Sequence, residues 1–235
     1  MRVNLLALET STHHLSAALL QGDHCLVRSA YLANGGSERL LPWVGELLAE
    51  AGLILAQLDG IAFGAGPGAF TGLRLACGVT QGLAFGADLP VVGICTLEAV
   101  AFNAATNASA GVSAERIFAC LDARMNEVYV AAYVREAADV FHCTSEPTVM
   151  PPEMVAAPEG IWHAAGDGFA AYPVLQSRFS QADTTVLPTA AAVARLAAPR
   201  FLRGEGQVAA SAAPLYVRDK VALTTAERLA RGGVR

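Results

Sequence analysis

The stretch LLALE, at residues 5–9, is an apolar run that ends on an acidic residue, and its counterpart FACLD occurs 113 residues later, at residues 118–122. The same shift aligns LSAAL, at residues 15–19, with VYVAA, at residues 128–132. Short apolar runs separated by polar turns are typical of the strands of a hairpin. The repeat therefore predicts two related lobes, each of which opens with a strand, an acidic turn and an antiparallel return strand.

The remaining patterns complete an α/β protein. A third apolar run extends the first meander, and Ser37 then has the character of an N-cap for a helix with apolar residues at three- and four-residue steps. That apolar face consists of Leu40, Leu41, Val44, Leu47 and Leu48. We place the lobe boundary in the Ala-, Asn- and Ser-rich segment near residue 105. The predicted domains are an N-terminal lobe (1–105) and a smaller C-terminal lobe (106–235), with about the last 20 residues expected to return to the N-terminal lobe.

Composition and charge exclude several classes of protein. Hydrophobic residues make up 54% of the 235 residues, which is ample for a large core, and the net charge of −5 argues against broad electrostatic capture of nucleic acid. The five cysteines are scattered and contain no C-x-x-C pair, so we expect free thiols and neither a disulfide framework nor a zinc site. We expect a cytoplasmic protein without a membrane segment.

The glycine loop GAGPGAFTGLR, at residues 64–74, follows a strand and precedes a helix. It lacks the lysine of a phosphate-binding P-loop, and although it fits the pattern G-x-G-x-x-A, Pro67 and the opening meander are poor matches to a dinucleotide fold. Two interpretations stay open at this point. The loop either presents backbone N–H groups to an anion at a helix N-terminus, or forms a tight turn that needs glycine geometry.

Two other patterns also allow two interpretations. Glu9 and Asp122 end matching strands, so they either face a cleft and hold metal or water, or cap their own hairpin turns. Gly78, Gly82 and Gly86 recur every four residues in the second helix, where each glycine costs about 1 kcal/mol relative to alanine. Such a strip indicates close packing, either on the sheet or against a partner helix.

Histidine and nucleophile patterns give no support for metal or covalent chemistry. Only His13 and His14 are adjacent, and neighbours in a strand point to opposite faces, so a metal pair is not expected. The sequence has neither a G-x-S-x-G motif nor a Cys/His dyad.

Taken together, several stretches resemble the bacterial TsaB family, also called YeaZ, whose members act in the biosynthesis of threonylcarbamoyladenosine on tRNA. The matching stretches are LALETS (6–11), SERLLP (37–42), GPGAFTGLR (66–74), GLAFG (82–86), LDARMNEVY (121–129), GDG (166–168) and PLYVR (214–218). The resemblance implies an actin-like fold (ASKHA, ribonuclease H-like) of two related lobes, with mixed sheets that open in antiparallel meanders. The adjacent His13 and His14 depart from the family, where this turn is often small and polar.

The resemblance also implies a non-catalytic subunit. The catalytic relative, TsaD, has two metal-binding histidines four residues apart, and Thr96 and Val100 would occupy those positions here. A pseudo-enzyme of this kind would scaffold and activate TsaD together with the small ATPase TsaE, and would contact tRNA only indirectly. The implied partner surface is the face of Leu40, Leu41, Val44, Leu47 and Leu48 with Gly78 and Gly82, which would bind TsaD or, in its absence, a second copy of the chain.

No cofactor of its own is expected for such a subunit, and ATP or ADP would bind only within the complex. Vestigial nucleotide-facing loops would then contain Glu9, Thr10, Ser11, Gly66, Gly68, Thr71, Asp122, Gly166, Asp167 and Gly168. Two alternatives remain at this stage. One is an actin-like kinase or phosphohydrolase that uses Glu9 and Asp122, and the other is a metallopeptidase of the glycoprotease type.

Overall fold

The computed structural model describes residues 3–32, 36–107 and 115–218, which are built around two five-stranded sheets. In the first sheet, an antiparallel meander of three strands is followed by two strands parallel to β1. The strands are β1 (Asn4–Glu9), β2 (His14–Gln21), β3 (His24–Tyr31), β4 (Gly60–Gly66) and β5 (Val91–Cys95). Their order is β3-β2-β1-β4-β5. The central strands β2, β1 and β4 are buried on both faces and are mostly apolar.

The second sheet repeats this arrangement. Its strands are β6 (Arg116–Arg124), β7 (Glu127–Ala137), β8 (Val140–Met150), β9 (His163–Ala165) and β10 (Ala182–Asp183). Read from its far edge, the order is β8-β7-β6-β9-β10, with β6 and β7 antiparallel and β9 parallel to β6. This is the order of the first sheet, with β6 and β7 in the places of β1 and β2. The two related lobes predicted from the repeat are therefore confirmed.

Six α-helices accompany the sheets in the described part of the chain. They are α1 (Ser37–Ala51), α2 (Phe70–Ala87), α3 (Thr96–Asn107), α4 (Gly168–Ala171), α5 (Pro173–Gln176) and α6 (Ala190–Leu202). The N-cap of α1 is Gly36, with φ 148°, and no side chain caps this helix. The prediction that Ser37 is the N-cap is therefore wrong by one residue, because the chain turns into the helix at the glycine.

Two helices fill the space between the sheets. α6 packs on the first sheet, where Ala190 and Val193 join Leu5 in one apolar cluster. α3 packs on the second sheet, where Leu97 and Val100 join the side chains of β6. The predicted boundary at residue 105 therefore falls inside α3, and α6, which belongs to the predicted C-terminal lobe, covers the N-terminal sheet. Because both helices are buried between the lobes, amino-acid composition does not mark where one lobe ends and the other begins.

The segment that follows α6 lies along the N-terminal lobe. Gln207 exchanges backbone hydrogen bonds with Val91 at the edge of the first sheet, and the Leu215 N–H donates to the Ala65 carbonyl over 2.7 Å. This contact with the N-terminal lobe begins earlier in the chain than predicted. Of the last 20 residues, only 216–218 belong to the described part, and the rest of the predicted returning tail lies outside it.

The outer face of the first sheet is covered by α1 and α2. Leu40, Val44 and Leu47 of α1 are buried in the same apolar cluster as Ala17 and Leu19 of β2, which places one apolar side of the helix in the core. Across the described residues, none of the helices has the length and apolar character of a membrane span.

Candidate functional site

The glycine loop after β4 packs backbone to backbone against the turn that follows β1. The Ala69 N–H donates to the Ser11 carbonyl over 2.7 Å, and the Thr10 hydroxyl donates to the Gly72 carbonyl over 2.6 Å. A Cβ on Gly72 would lie 1.9 Å from the Thr10 carbonyl oxygen, and one on Gly68 would lie 2.6 Å from that of Ser11. Of the two interpretations of this loop, the tight turn that needs glycine is therefore the one that the contacts support.

Adding one methyl group to this loop should destabilise the protein. We expect Gly72→Ala to lower the free energy of unfolding by about 2–3 kcal/mol, because the new Cβ overlaps a carbonyl oxygen that the backbone cannot easily move. Gly78→Ala is the matched control in the same helix, since its Cβ would meet no atom of the described residues within 4 Å. Urea unfolding monitored by circular dichroism measures both, and equal stability of the two variants would contradict the packing argument.

The two acidic residues cap their own turns. Glu9 Oε1 accepts the Ser11 N–H over 2.6 Å, and Asp122 Oδ1 accepts the Arg124 N–H over 2.8 Å. Asp122 also accepts from the Tyr172 hydroxyl over 3.3 Å and pairs with the Arg124 guanidinium at 3.1 Å. The same local hydrogen bond thus ends the first strand of each lobe, which supports the capping interpretation for both residues.

Glu9 differs from Asp122 in being completely buried. In the described part of the chain its Oε2 has no hydrogen-bond partner, and a Cβ on Gly64 would lie 1.8 Å from that oxygen. Burial raises the pKa of Glu9 to about 7, although the hydrogen bond from the Ser11 N–H opposes the shift. Glu9 therefore lies inside the N-terminal lobe and does not line the cavity between the lobes, which Asp122 does line.

The GDG loop of the C-terminal lobe copies the packing of the glycine loop. Gly166 has φ 122°, and a Cβ there would lie 2.0 Å from the Cys120 carbonyl oxygen. Asp167 Oδ1 accepts the Asp122 N–H over 3.0 Å, and burial raises the pKa of the Asp167 carboxyl despite that hydrogen bond. Each lobe therefore holds the end of its first strand with a glycine-containing loop.

A cavity of about 110 Å³ lies where these loops meet between the lobes. Ser11, Gly68, Asp122 and Asp167 of the predicted nucleotide-facing residues line it, and His13 and Arg124 contribute to its walls. Among the same predicted residues, those that do not line this cavity are Glu9, Thr10, Gly66, Thr71, Gly166 and Gly168. The Ser11 hydroxyl is buried and has no hydrogen-bond partner in the described residues. The loops therefore converge as predicted, but only in part.

Thr96 and Val100, the positions implied to replace metal-binding histidines, are both fully buried. The Thr96 hydroxyl donates to the Pro67 carbonyl and so holds the glycine loop, while Val100 packs in the core of the C-terminal lobe. Neither side chain offers a nitrogen ligand, and no group of three His, Cys, Asp or Glu residues able to hold a metal is found in residues 3–32, 36–107 and 115–218.

The predicted partner surface needs a correction. Leu40, Val44 and Leu47 are core residues, so they are not available on the surface of the folded chain. Leu41 is 52% exposed and Leu48 is half-buried. These two leucines are the part of the predicted α1 face that a partner could reach, and their role at an interface stays a prediction.

The glycine strip of α2 faces outward. A Cβ on Gly78, Gly82 or Gly86 would meet no described atom within 4 Å, so the alternative that the strip packs on the sheet is wrong. Phe85, next to the strip, is 84% exposed. A strip without side chains beside a large exposed aromatic residue is a surface to which another helix can approach closely.

Sequence reasoning missed the contacts of the segment 214–218. Tyr216 stacks on Phe70 of α2 with ring centroids 5.8 Å apart, and the Arg218 guanidinium donates to the Ala123 carbonyl over 3.0 Å and to Glu127 over 2.6 Å. This segment therefore connects α2 of one lobe to the β6–β7 hairpin of the other. The only signal in the sequence was the PLYVR motif itself.

Two lobes of one topology, joined through buried helices and meeting at glycine loops, define an α/β protein of the actin-like class. A family model described as TsaD: tRNA N6-adenosine threonylcarbamoyltransferase matches residues 32–231. The chain is 34% identical to the tRNA threonylcarbamoyladenosine biosynthesis protein TsaB of Escherichia coli (strain K12), over 94% of this chain and 96% of that protein. It is 37% identical to the TsaB protein of Haemophilus influenzae, over 93% of this chain and 95% of that protein.

A solved structure described as YeaZ from Pseudomonas aeruginosa superposes with a TM-score of 0.85 at 40% identity, covering 91% of this chain and 99% of that one. A second Pseudomonas aeruginosa structure, described as an uncharacterized protein with similarity to peptidase YEAZ, matches equally well. The chain therefore belongs to the TsaB (YeaZ) family, as its motifs indicated.

Proposed function

We propose that this chain acts in the formation of threonylcarbamoyladenosine on tRNA as a non-catalytic subunit that supports a TsaD-type transferase. The names of its TsaB relatives support the pathway. The observation that carries the non-catalytic role is the burial of Thr96 and Val100, whose side chains are committed to loop and core contacts. Residues used in this way hold the shape of the protein and leave the transfer chemistry to the partner.

We propose that the partner binds the exposed strip of α2. The absence of side chains at Gly78, Gly82 and Gly86 lets a helix of the partner approach the backbone closely, and Leu41 and Phe85 offer apolar contacts beside it. The same surface would serve a homodimer when the transferase is absent. TsaE would join the complex as the ATPase, and tRNA would be held mainly by the partners, because this chain has a net charge of −5.

We further propose that the isolated chain holds no nucleotide and that ATP or ADP acts only within the complex. Pockets for ligands of drug size usually measure about 300–1,000 Å³, whereas the cavity between the glycine loops has about 110 Å³ and the adjoining cavity about 170 Å³. Hydrogen bonds within the chain also use groups of the glycine loop that a phosphate would need, such as the Ala69 N–H. The scattered free cysteines support a reducing compartment, and therefore the cytoplasm.

Reconstitution of the modification tests this role. We expect the chain alone to form no threonylcarbamoyladenosine, and a mixture of TsaD, TsaE, ATP, threonylcarbamoyl donor and tRNA to form it efficiently only when the chain is added. The modified nucleoside is quantified by mass spectrometry after digestion of the tRNA. Full activity without the chain would contradict the proposal, and product formation by the chain alone would contradict its non-catalytic character.

A further inference from the structure

A second cavity, of about 450 Å³, lies away from the glycine loops. It is bounded by the paired ends of β2 and β3, by α3, and by the segment that joins β10 to α6. Its lining residues are His14, Tyr31, Asn103, Asp183, Thr185, Val186, Leu187 and Thr189. Most of them carry polar side chains, and nothing in the proposed subunit role uses them.

His14 is the unusual residue in this wall. His14 is 8% exposed, and its Nδ1 is buried without a hydrogen-bond partner in the described residues. Burial lowers the pKa of His14 and so favours the neutral imidazole; the Pro188 carbonyl opposes this shift, and the neighbouring His13 adds to it. A buried nitrogen without a hydrogen-bond partner is unfavourable, and a ligand that donates to it would offset that cost.

The donor groups of Asn103 and Thr185, which line the cavity with His14, are occupied by hydrogen bonds within the chain. Asn103 Nδ2 donates to the Leu187 carbonyl over 2.7 Å and to the Thr189 hydroxyl over 3.1 Å. The Thr185 hydroxyl donates to Asp183 Oδ1 over 2.8 Å, and the Thr185 N–H donates to the same oxygen over 3.1 Å. Asp183 Oδ2 is therefore left, with His14 Nδ1, to accept from a ligand.

The charge of the cavity lining also favours a ligand that donates hydrogen bonds, and in particular a cation. Asp183 is the one formally charged residue in the lining of this cavity, so a bound cation would gain an ion pair and an anion would be repelled. Tyr31 lies beside His14, with ring centroids 4.7 Å apart, and is itself 69% exposed. An accessible aromatic face near a carboxylate favours cations through the ring quadrupole.

We propose that this cavity binds a small organic cation with N–H donors, a guanidinium or primary ammonium group, between Asp183, His14 and the ring of Tyr31. The ligand donates to Asp183 Oδ2 and His14 Nδ1. This site goes beyond the subunit role and does not depend on it. The cation can be a free small molecule or the side chain of an arginine or lysine in another protein, since both present the same head group.

Titration with methylguanidinium chloride tests the site. We expect saturable changes in the NMR resonances of the His14 imidazole and of Tyr31, and at least tenfold weaker binding to the Asp183→Asn variant. Asparagine keeps an acceptor for Thr185 but loses the charge. Glu136→Gln removes one exposed negative charge of the C-terminal lobe and should leave the affinity unchanged. Unchanged binding to Asp183→Asn would overturn the proposal, as would the lack of saturable shifts at His14.

Two further probes separate the interactions and the sources. Tetramethylammonium has the charge but no N–H donor, so it should bind at least tenfold more weakly than methylguanidinium, and equal binding would overturn the hydrogen bond to His14. Tyr31→Leu removes the aromatic ring at an exposed position, so it should weaken the binding of both cations and leave the fold intact. An arginine-containing pentapeptide that binds as tightly as methylguanidinium would identify a protein side chain as the ligand, and exclusive binding of the small compound would identify a free cation.

Discussion

The Gly82→Leu variant should fold normally and lose its complex with a TsaD-type partner. A Cβ at this position meets no described atom within 4 Å, so a leucine has room in the isolated chain. Replacing a glycine inside a helix also removes a penalty of about 1 kcal/mol, which should make the free protein slightly more stable. In the complex, however, the leucine would stand where a partner helix approaches the backbone. We expect an affinity loss of about 100-fold, which corresponds to about 3 kcal/mol.

The two effects are measured separately. Thermal unfolding of the free chain gives its stability, and isothermal titration with the transferase gives the dissociation constant. Gly82→Ala should show an intermediate loss of affinity with the same gain in stability. Ala170→Leu, at an exposed position of α4 on the other lobe, is the control and should bind as the wild type does. Wild-type affinity of Gly82→Leu would show that the strip is not the interface, whereas unfolding of the free variant would show that it is not a free surface.

Glu9→Gln should remove the contribution of Glu9 to the pH dependence of stability between pH 4.5 and pH 7. The pKa of Glu9 is about 7 in the folded protein and about 4.5 in the unfolded chain, because burial disfavours the carboxylate. Between these values the folded state keeps a proton that the unfolded state releases, so the free energy of unfolding falls as the pH rises. The loss is complete above pH 7 and amounts to about 3 kcal/mol.

Glutamine keeps the acceptor for the Ser11 N–H and cannot ionise. Relative to the wild type, we therefore expect this variant to gain about 3 kcal/mol when the pH is raised from below 4.5 to above 7. Denaturant unfolding at a series of pH values measures the difference, and Glu136→Gln, at an exposed position, should retain the wild-type pH profile. A constant difference between Glu9→Gln and wild type across this range would mean that the buried carboxyl does not titrate as described.

The elements that depend on local pattern were predictable from the sequence. Alternation of apolar runs and polar turns identified the two meanders, and the repeat between residues 5–9 and 118–122 identified two related lobes whose strand orders agree. The residues that converge between the lobes were found in part: Ser11, Gly68, Asp122 and Asp167 meet there because strand ends and glycine loops carry them. The family followed from motifs spread over the whole chain.

Side-chain direction was less accessible. Periodicity placed Leu40, Leu41, Val44, Leu47 and Leu48 on one helix face, but it does not say whether that face meets the protein's own sheet or a partner. The spacing of Gly78 and Gly82 likewise predicts close packing without naming what packs there. In the folded chain the leucine face is mainly core and the glycine strip is open, because α1 and α2 must bury one side each against the same sheet.

The sequence by itself determined the two-lobed topology and the family, because both rest on order and spacing along the chain. Only the tertiary structure decided that Glu9 is buried, that α3 and α6 fill the space between the sheets, and that His14 faces a polar cavity. Each of these facts depends on contacts between residues far apart in the chain. Burial, and with it the pKa of a carboxyl or the availability of a surface, is a property of those contacts and of no single segment.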